Sequence, residues 1–325
     1  MIIIDVILLI YSISTILYPA IPPVFNSTTL NYRRGRYSQL LVNEILRNRN
    51  STKTISFKPY PGSGFGNHIG GMKGVLLLAI LNDARMCVDY DAYFDVMQPF
   101  LSILKCDSIE GRLIDVNTYH SMLVNMNCKP NLSEENVIIS SYENAYGYLL
   151  KCDSVRSMLE KKGLWRKDIE KKITLFLFQL IPYFEHYGKS VLNRMNGLRI
   201  GIQLRFGGSV ANTKERTTFL NITNFNSTLE RIKSILSKYP DNHSLFLSSD
   251  SNEAISLLSP LHERIITADK YALGHTYVKK DTFLERTVID LYILSHCDVI
   301  IATTRSSYGG LAIQLSQTSE HYYIK

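Results

Sequence analysis

Hydrophobic and polar positions along the chain change period several times. From Thr54 to Pro59 (TISFKP) they alternate every second residue, the signature of a strand. Five glycines crowd the next eleven residues, PGSGFGNHIGG (61–71), and an apolar run of helical length follows from Ile69 to about Asn82. A short strand over 85–89 (RMCVD) completes a β–α–β unit. From there to about residue 196 the pattern reads as mostly helical, with helices over 153–162 and 167–180, the second ending before Pro182. A second alternation starts at Arg199. Strands RIGIQLR (199–205), SLFLSSD (244–250), ERIITA (263–268) and DVIIAT (298–303) are separated by helices over 225–238 and 282–296, and a last helix runs from Leu311. Apolar, β-branched strands alternating with helices predict a parallel sheet covered on both faces. The chain therefore reads as two α/β halves with a boundary near residue 197.

Residues 2–21 are almost unbroken apolar sequence with one charge, Asp5, long enough either to span a bilayer or to form a signal-peptide core. Arg33, Arg34 and Arg36 follow it, which by charge bias favours a cytoplasmic C-terminal side. Six N-x-[ST] triplets, at Asn26, Asn50, Asn131, Asn221, Asn226 and Asn242, argue for the secretory lumen instead. The expectation is a signal anchor, with a cleaved signal peptide or an ordinary buried helix as alternatives. Residues 22–52, with Pro22-Pro23 and two of the triplets, read as a stem. The remaining division is an N-terminal domain over 53–197 and a C-terminal one over 198–325.

At 325 residues with 45% hydrophobic and 20% charged positions the composition is globular, and no solenoid repeat is visible. A net charge of +7 spread along the chain lacks the Lys/Arg density of a nucleic-acid groove, so no nucleic-acid partner is expected. Five cysteines (Cys87, Cys106, Cys128, Cys152, Cys297) show no zinc-type spacing. They are read either as two disulfides among the first four with Cys297 free, in any of three pairings, or as five buried thiols.

Open parallel sheets bind ligands beyond the C-terminal ends of their strands. Three polar groups stand at such ends: Arg205, Ser248-Ser249-Asp250, and Thr303-Thr304-Arg305-Ser306-Ser307. Each alone is what any exposed strand end looks like. Together, with hydroxyls ahead of a helix, they suit an anion. The glycine stretch is no Walker loop, since no GK[ST] follows. It approximates GxGxxG, with Asp89 about 20 residues further on, so a nicotinamide or flavin enzyme is the alternative on local pattern, and a plain tight turn the other.

Three ordered segments carry a resemblance. GFGNHIGGMKGVLLLAILNDARMCVDY (64–90) and RIGIQLR (199–205) resemble the donor-side motifs of GDP-fucose-dependent fucosyltransferases, particularly the xyloglucan-type α1,2 group. TVIDLYILSHCDVIIATTRSSYGGLAIQLS (287–316) is similar to the third motif of that group, and Ser248-Ser249-Asp250 resembles the related protein O-fucosyl and rhizobial enzymes. The resemblance implies a GT-B-like α/β fold, two Rossmann-like domains facing a cleft, and a metal-independent, inverting transfer of fucose from GDP-fucose to a glycan hydroxyl. It implies no cofactor beyond the sugar nucleotide, and a Golgi or ER membrane location through the N-terminal segment, or secretion. By motif, Arg205 would hold the β-phosphate and Asn67 would approach the diphosphate or fucose. Ser306, Ser307 and Tyr308 would donate to phosphates, and Asp250 would lie near the nucleoside. Gly64, Gly66, Thr304 and Gly309 complete the implied donor site. His68 and Asp89 are the candidates for an acceptor base, against readings as a turn polar group and a strand-end cap. Gly64 stands where the protein O-fucosyl enzymes carry arginine, which argues against protein fucosylation. Another GDP-sugar or dinucleotide enzyme, or an inactive glycan-binding relative, is the alternative.

Overall fold

The computed structural model describes residues 27–106, 110–125, 128, 132, 136–141, 145–207, 217–262, 265–270, 282–318 and 320–325. The apolar segment 2–21 and the triplets at Asn26 and Asn131 lie outside them. No helix among the described residues is long and apolar enough to cross a membrane.

Among the described residues the strand ladders are parallel and form two sheets. The first, ordered β2-β1-β4-β3, is built from β1 (Thr54–Lys58), β2 (Arg85–Val88), β3 (Arg112–Ile114) and β4 (Asn136–Ser140). The second, ordered β7-β6-β5-β8-β9, is built from β5 (Leu198–Leu204), β6 (His243–Ser249), β7 (Ile265–Ile266), β8 (Val299–Thr303) and β9 (His321–Ile324). That order is the doubly wound one. β5 leads outward to β6 and β7, then the chain returns to lay β8 and β9 on the other side. Its switch point lies between β5 and β8, where such sheets leave a crevice.

Twelve helices pack around the sheets among the described residues. The helix after β1, here α2 (Phe65–Leu81; α1 is Ser27–Arg47), is hydrophobic on every side, and Ile69 and Val75 to Leu78 are fully buried. A helix apolar all round has no solvent face and must be central. It lies between the first sheet, α7 (Ile169–Leu177), and α12 (Ser307–Leu315), the helix after β8. A single apolar core therefore runs from the first half into the second through α11 (Thr282–Ser295) and α12, while a second core fills the far face of the second sheet around Ile232, Ile235 and Leu258. A polar link centred on Lys73 crosses the shared core. Lys73 Nζ on α2, almost fully buried, donates to Glu170 Oε1 on α7 (2.8 Å) and to Gln314 Oε1 on α12 (3.0 Å).

Several expectations change. The presumed stem is, over Ser27–Arg47, a helix whose Tyr37, Leu41, Val42 and Ile45 enter the core; its apolar spacing carries more weight than its Arg/Asn content. The stretch read as mostly helical holds β3 and β4, and β9 follows the last helix; all are short and flanked by polar residues. Helices α2 and α12 each begin four residues before the expected starts at Ile69 and Leu311.

Two disulfides form, Cys87–Cys106 and Cys128–Cys152, both in the first half, and Cys297 is a buried thiol. Each closes a loop of about 20 residues, which restricts the unfolded chain by roughly 3 kcal/mol. The Cys87→Ser/Cys106→Ser variant should lose about 2–4 kcal/mol in denaturant unfolding. An unchanged midpoint would show that this pair is not bonded in the native protein.

Candidate functional site

The C-terminal ends of β5 and β8 are stapled together. Gln203 Oε1 accepts from Thr303 N (3.2 Å), while Thr303 Oγ1 donates to the Gln203 carbonyl (3.0 Å) and accepts from Arg205 N (2.9 Å). These bonds satisfy the strand ends internally and push Arg205 and the loop after β8 outward. A cavity of about 230 Å³ opens there, lined by Gln203 to Arg205, Phe219, Ser248 to Asp250, part of α11, Arg305 to Tyr308, and Gly62 to Asn67 from the first half.

The glycine stretch forms the opposing wall. Ser63 N donates to the Tyr60 carbonyl (3.1 Å) across Pro61 and Gly62, and Gly62 has φ +87°. That is a type II turn, which requires a left-handed third residue and takes glycine there. The chain then enters α2 at once, with Gly64 as N-cap. At Gly66 a Cβ would lie 2.7–2.8 Å from the backbone of Ser307 and Tyr308, so only glycine lets α2 meet α12. The two helices touch again between Lys73 and Gln314, seven residues further along each. They therefore run parallel, and both direct their N-terminal ends, with unsatisfied N–H groups and positive dipole ends, at the same cavity.

Three arginines and two aspartates line the cavity. Arg205 Nη1 pairs with Asp250 Oδ2 (3.2 Å), and its guanidinium lies 5.7 Å from the Phe219 ring centre. Asp250 also accepts from Phe206 N and Gly207 N (2.9 Å each), so it anchors the loop after β5 as well as orienting the arginine. Arg286 and Asp290, one turn apart on α11, form a buried pair (2.6 Å). Burial raises the Asp290 carboxyl to about 6 despite the favourable Arg286 charge. Tyr308 Oη donates to the Thr287 carbonyl (2.7 Å), and burial, with Asp290 nearby, holds its phenol well above the usual range.

Arg305 stands apart. Ser306 N donates to the Thr303 carbonyl (3.2 Å) across Thr304 and Arg305, and Arg305 has φ +65°. This is the second type II turn on the cavity wall, with arginine where the first has glycine. The left-handed backbone costs an L-residue roughly 1–2 kcal/mol.

Of the sequence-derived candidates, Gly64, Gly66, Asn67, Arg205, Asp250, Ser306, Ser307 and Tyr308 line this one cavity. Thr304, Gly309 and His68 do not. Thr304 N is bonded to the Ile324 carbonyl, and Gly309 packs on Gln203, with its N–H donated to the Ser306 hydroxyl that caps α12. His68 is buried with Nδ1 3.3 Å from Tyr90 Oη, and Asp89 pairs with Lys58 (3.0 Å). Sequence reasoning missed Arg286, Thr287 and Asp290 as cavity residues, although Arg and Asp four apart on an amphipathic helix was a readable ion-pair signal. It placed Arg305 in the polar group after β8 but gave it no part in the implied donor site, although that residue lines the cavity.

Two outcomes follow from this geometry. Gly66→Ala should separate α2 from α12, lowering stability by about 1–3 kcal/mol in urea unfolding. Wild-type stability would contradict the contact. Burial lowers His68 to about 4, against about 6.5 in the unfolded chain, so the unfolded state binds the extra proton. The stability from its neutral ring is present above pH 6.5 and lost as pH falls toward 4, up to roughly 3 kcal/mol. Asp290, raised rather than lowered, acts in the opposite sense between about 4 and 6. His68→Gln should therefore flatten the acid decline of the urea midpoint between pH 6.5 and 4.5; an unchanged slope would exclude a buried neutral His68.

No family profile and no curated protein sequence matches the chain. Solved structures do match in shape. A mutant of Arabidopsis thaliana FUT1 in complex with GDP superposes with a TM-score of 0.57 at 12% identity, covering 92% of this chain and 77% of that one. The fucosyltransferase NodZ from Bradyrhizobium gives 0.54 at 14% identity, covering 81% and 93%. A NodZ α-1,6-fucosyltransferase soaked with GDP-fucose gives 0.51 at 14% identity over the same shares. The chain shares the fold of these enzymes.

Proposed function

We propose that the protein is a glycosyltransferase that moves fucose from GDP-fucose to a hydroxyl of a glycan. The observation that carries this reading is the convergence of two parallel helix N-termini and three arginines on one cavity at the switch point of a doubly wound sheet. That arrangement suits the diphosphate of a sugar nucleotide. The shared fold supports it, because structures with that fold bind GDP or GDP-fucose. The disulfides favour an oxidising compartment, in keeping with a Golgi or ER lumenal enzyme held by its N-terminal apolar segment.

The chemistry follows from the charges. The bond between fucose C1 and the β-phosphate oxygen breaks as the acceptor oxygen bonds to C1 and releases its proton, and GDP leaves with both electrons of the broken bond. Negative charge grows on the diphosphate while the sugar becomes oxocarbenium-like. Arg205, held in place by Asp250, and the amides at the start of α12 would stabilise that charge without a metal. Ser306 spends its hydroxyl on the helix cap and positions the turn, and Ser307 is exposed beside it. Asn67 would contact the diphosphate or fucose, and attack from the opposite face would invert the anomeric centre.

The test is donor binding followed by transfer. GDP should raise the thermal midpoint and NAD should not; the reverse would refute a sugar-nucleotide site. GDP-fucose should support transfer to a glycan array in the presence of EDTA, whereas GDP-mannose should not. Arg205→Ala should reduce kcat/KM by about 100-fold or more with the fold retained, in line with loss of a charge-assisted contact at the leaving group.

A further inference from the structure

We propose that Arg305 is the phosphate-reading residue of the cavity, whose guanidinium engages the terminal phosphate of the bound nucleoside diphosphate. The inference rests on the nucleotide reading above and adds to it a residue to which the resemblance gave no role.

Three observations meet at this residue. The first is charge. Arg205 and Arg286 are each matched by an aspartate, whereas Arg305 has no hydrogen bond or ion pair among the described residues, although it lines the same cavity. Three arginines against two aspartates leave one net positive charge, and Arg305 is its unpaired source. A dianionic diphosphate needs positive charge that is not already spent on a carboxylate. The second observation is conformation. The cavity wall contains two turns of one type, and the Pro61–Gly62 turn uses the residue that the geometry prefers. The Thr304–Arg305 turn holds a long cationic side chain in the left-handed region, where stability alone favours glycine or asparagine. Strain of this kind persists where a side chain has work to do on a ligand. The third is position. Arg305 immediately precedes Ser306, the N-cap of α12, so its charge sits beside the free amides of that helix start and adds to its dipole.

The test uses Arg305→Asn, which keeps a residue tolerant of the left-handed turn while removing the charge. The expected result is a loss of about tenfold or more in affinity for GDP by calorimetry. GMP, which lacks the terminal phosphate, should lose less than about threefold. The ligand-free thermal midpoint should equal or exceed that of the wild type. Arg305→Lys should fall between the two, because a point charge replaces the fork. Unchanged GDP affinity in Arg305→Asn, or equal losses for GDP and GMP, overturns the proposal. A lowered ligand-free midpoint also overturns it, since it would mark Arg305 as structural. Failure of the wild-type protein to bind GDP would instead overturn the nucleotide reading itself, and is thereby distinguished.

Discussion

The constraint on which the cavity depends is the approach of the Gly66 backbone to the Ser307–Tyr308 peptide. No side chain fits between them, so the distance between α2 and α12 is fixed at the point where both contribute to the cavity. Much else follows from that contact. It brings two helix N-termini side by side, and it sets the direction in which α2 runs through the core. It also explains why that helix is apolar on every face, because each side of it is covered by another part of the chain. A larger residue at this position would disturb the helix spacing and the electrostatics together.

The electrostatics show a consistent pattern. Two of the three cavity arginines are paired with aspartates, and the Asp250 carboxylate also holds backbone in place. Asp250 ties Arg205 to the two amides that follow β5, and Asp290 ties Arg286 along α11. Such pairing lets arginine be brought into a largely buried site without an isolated charge, at the expense of much of its field. What remains for a ligand is the charge of Arg305, the donor geometry of the guanidinium forks and the dipoles of the helices. This suits a polyanion better than a neutral ligand. It also makes the site sensitive to pH near 6, where Asp290 takes up a proton and the positive character of the cavity grows.

The second half was the more legible part of the sequence. β5, β6 and β8 have apolar centres buried on both faces, and their polar ends gather at one edge as strand-end reasoning expects. The first half was less legible because β3 and β4 span three and five residues within polar surroundings. Two boundary errors share one cause. GFGN and SYGG both read as loop, since glycine disfavours helix, yet both are first turns of helices in which glycine serves close packing against another segment. Local propensity cannot anticipate a neighbour more than 200 residues away. Arg286 and Asp290 were missed for a related reason: nothing along the chain tells which face of α11 meets the cavity.

Lys73 carries a different kind of implication. Its ammonium is enclosed by Glu170 and Gln314, so three positions spread over much of the chain share one hydrogen-bonded unit. Loss of Glu170 or Gln314 would strand the buried Lys73 ammonium without part of its hydrogen bonding. Sequence drift at these sites therefore has to be concerted. Among descendants of a common ancestor, residues 73, 170 and 314 should change together or not at all, and an apolar trio of similar volume is the one neutral exit open to them.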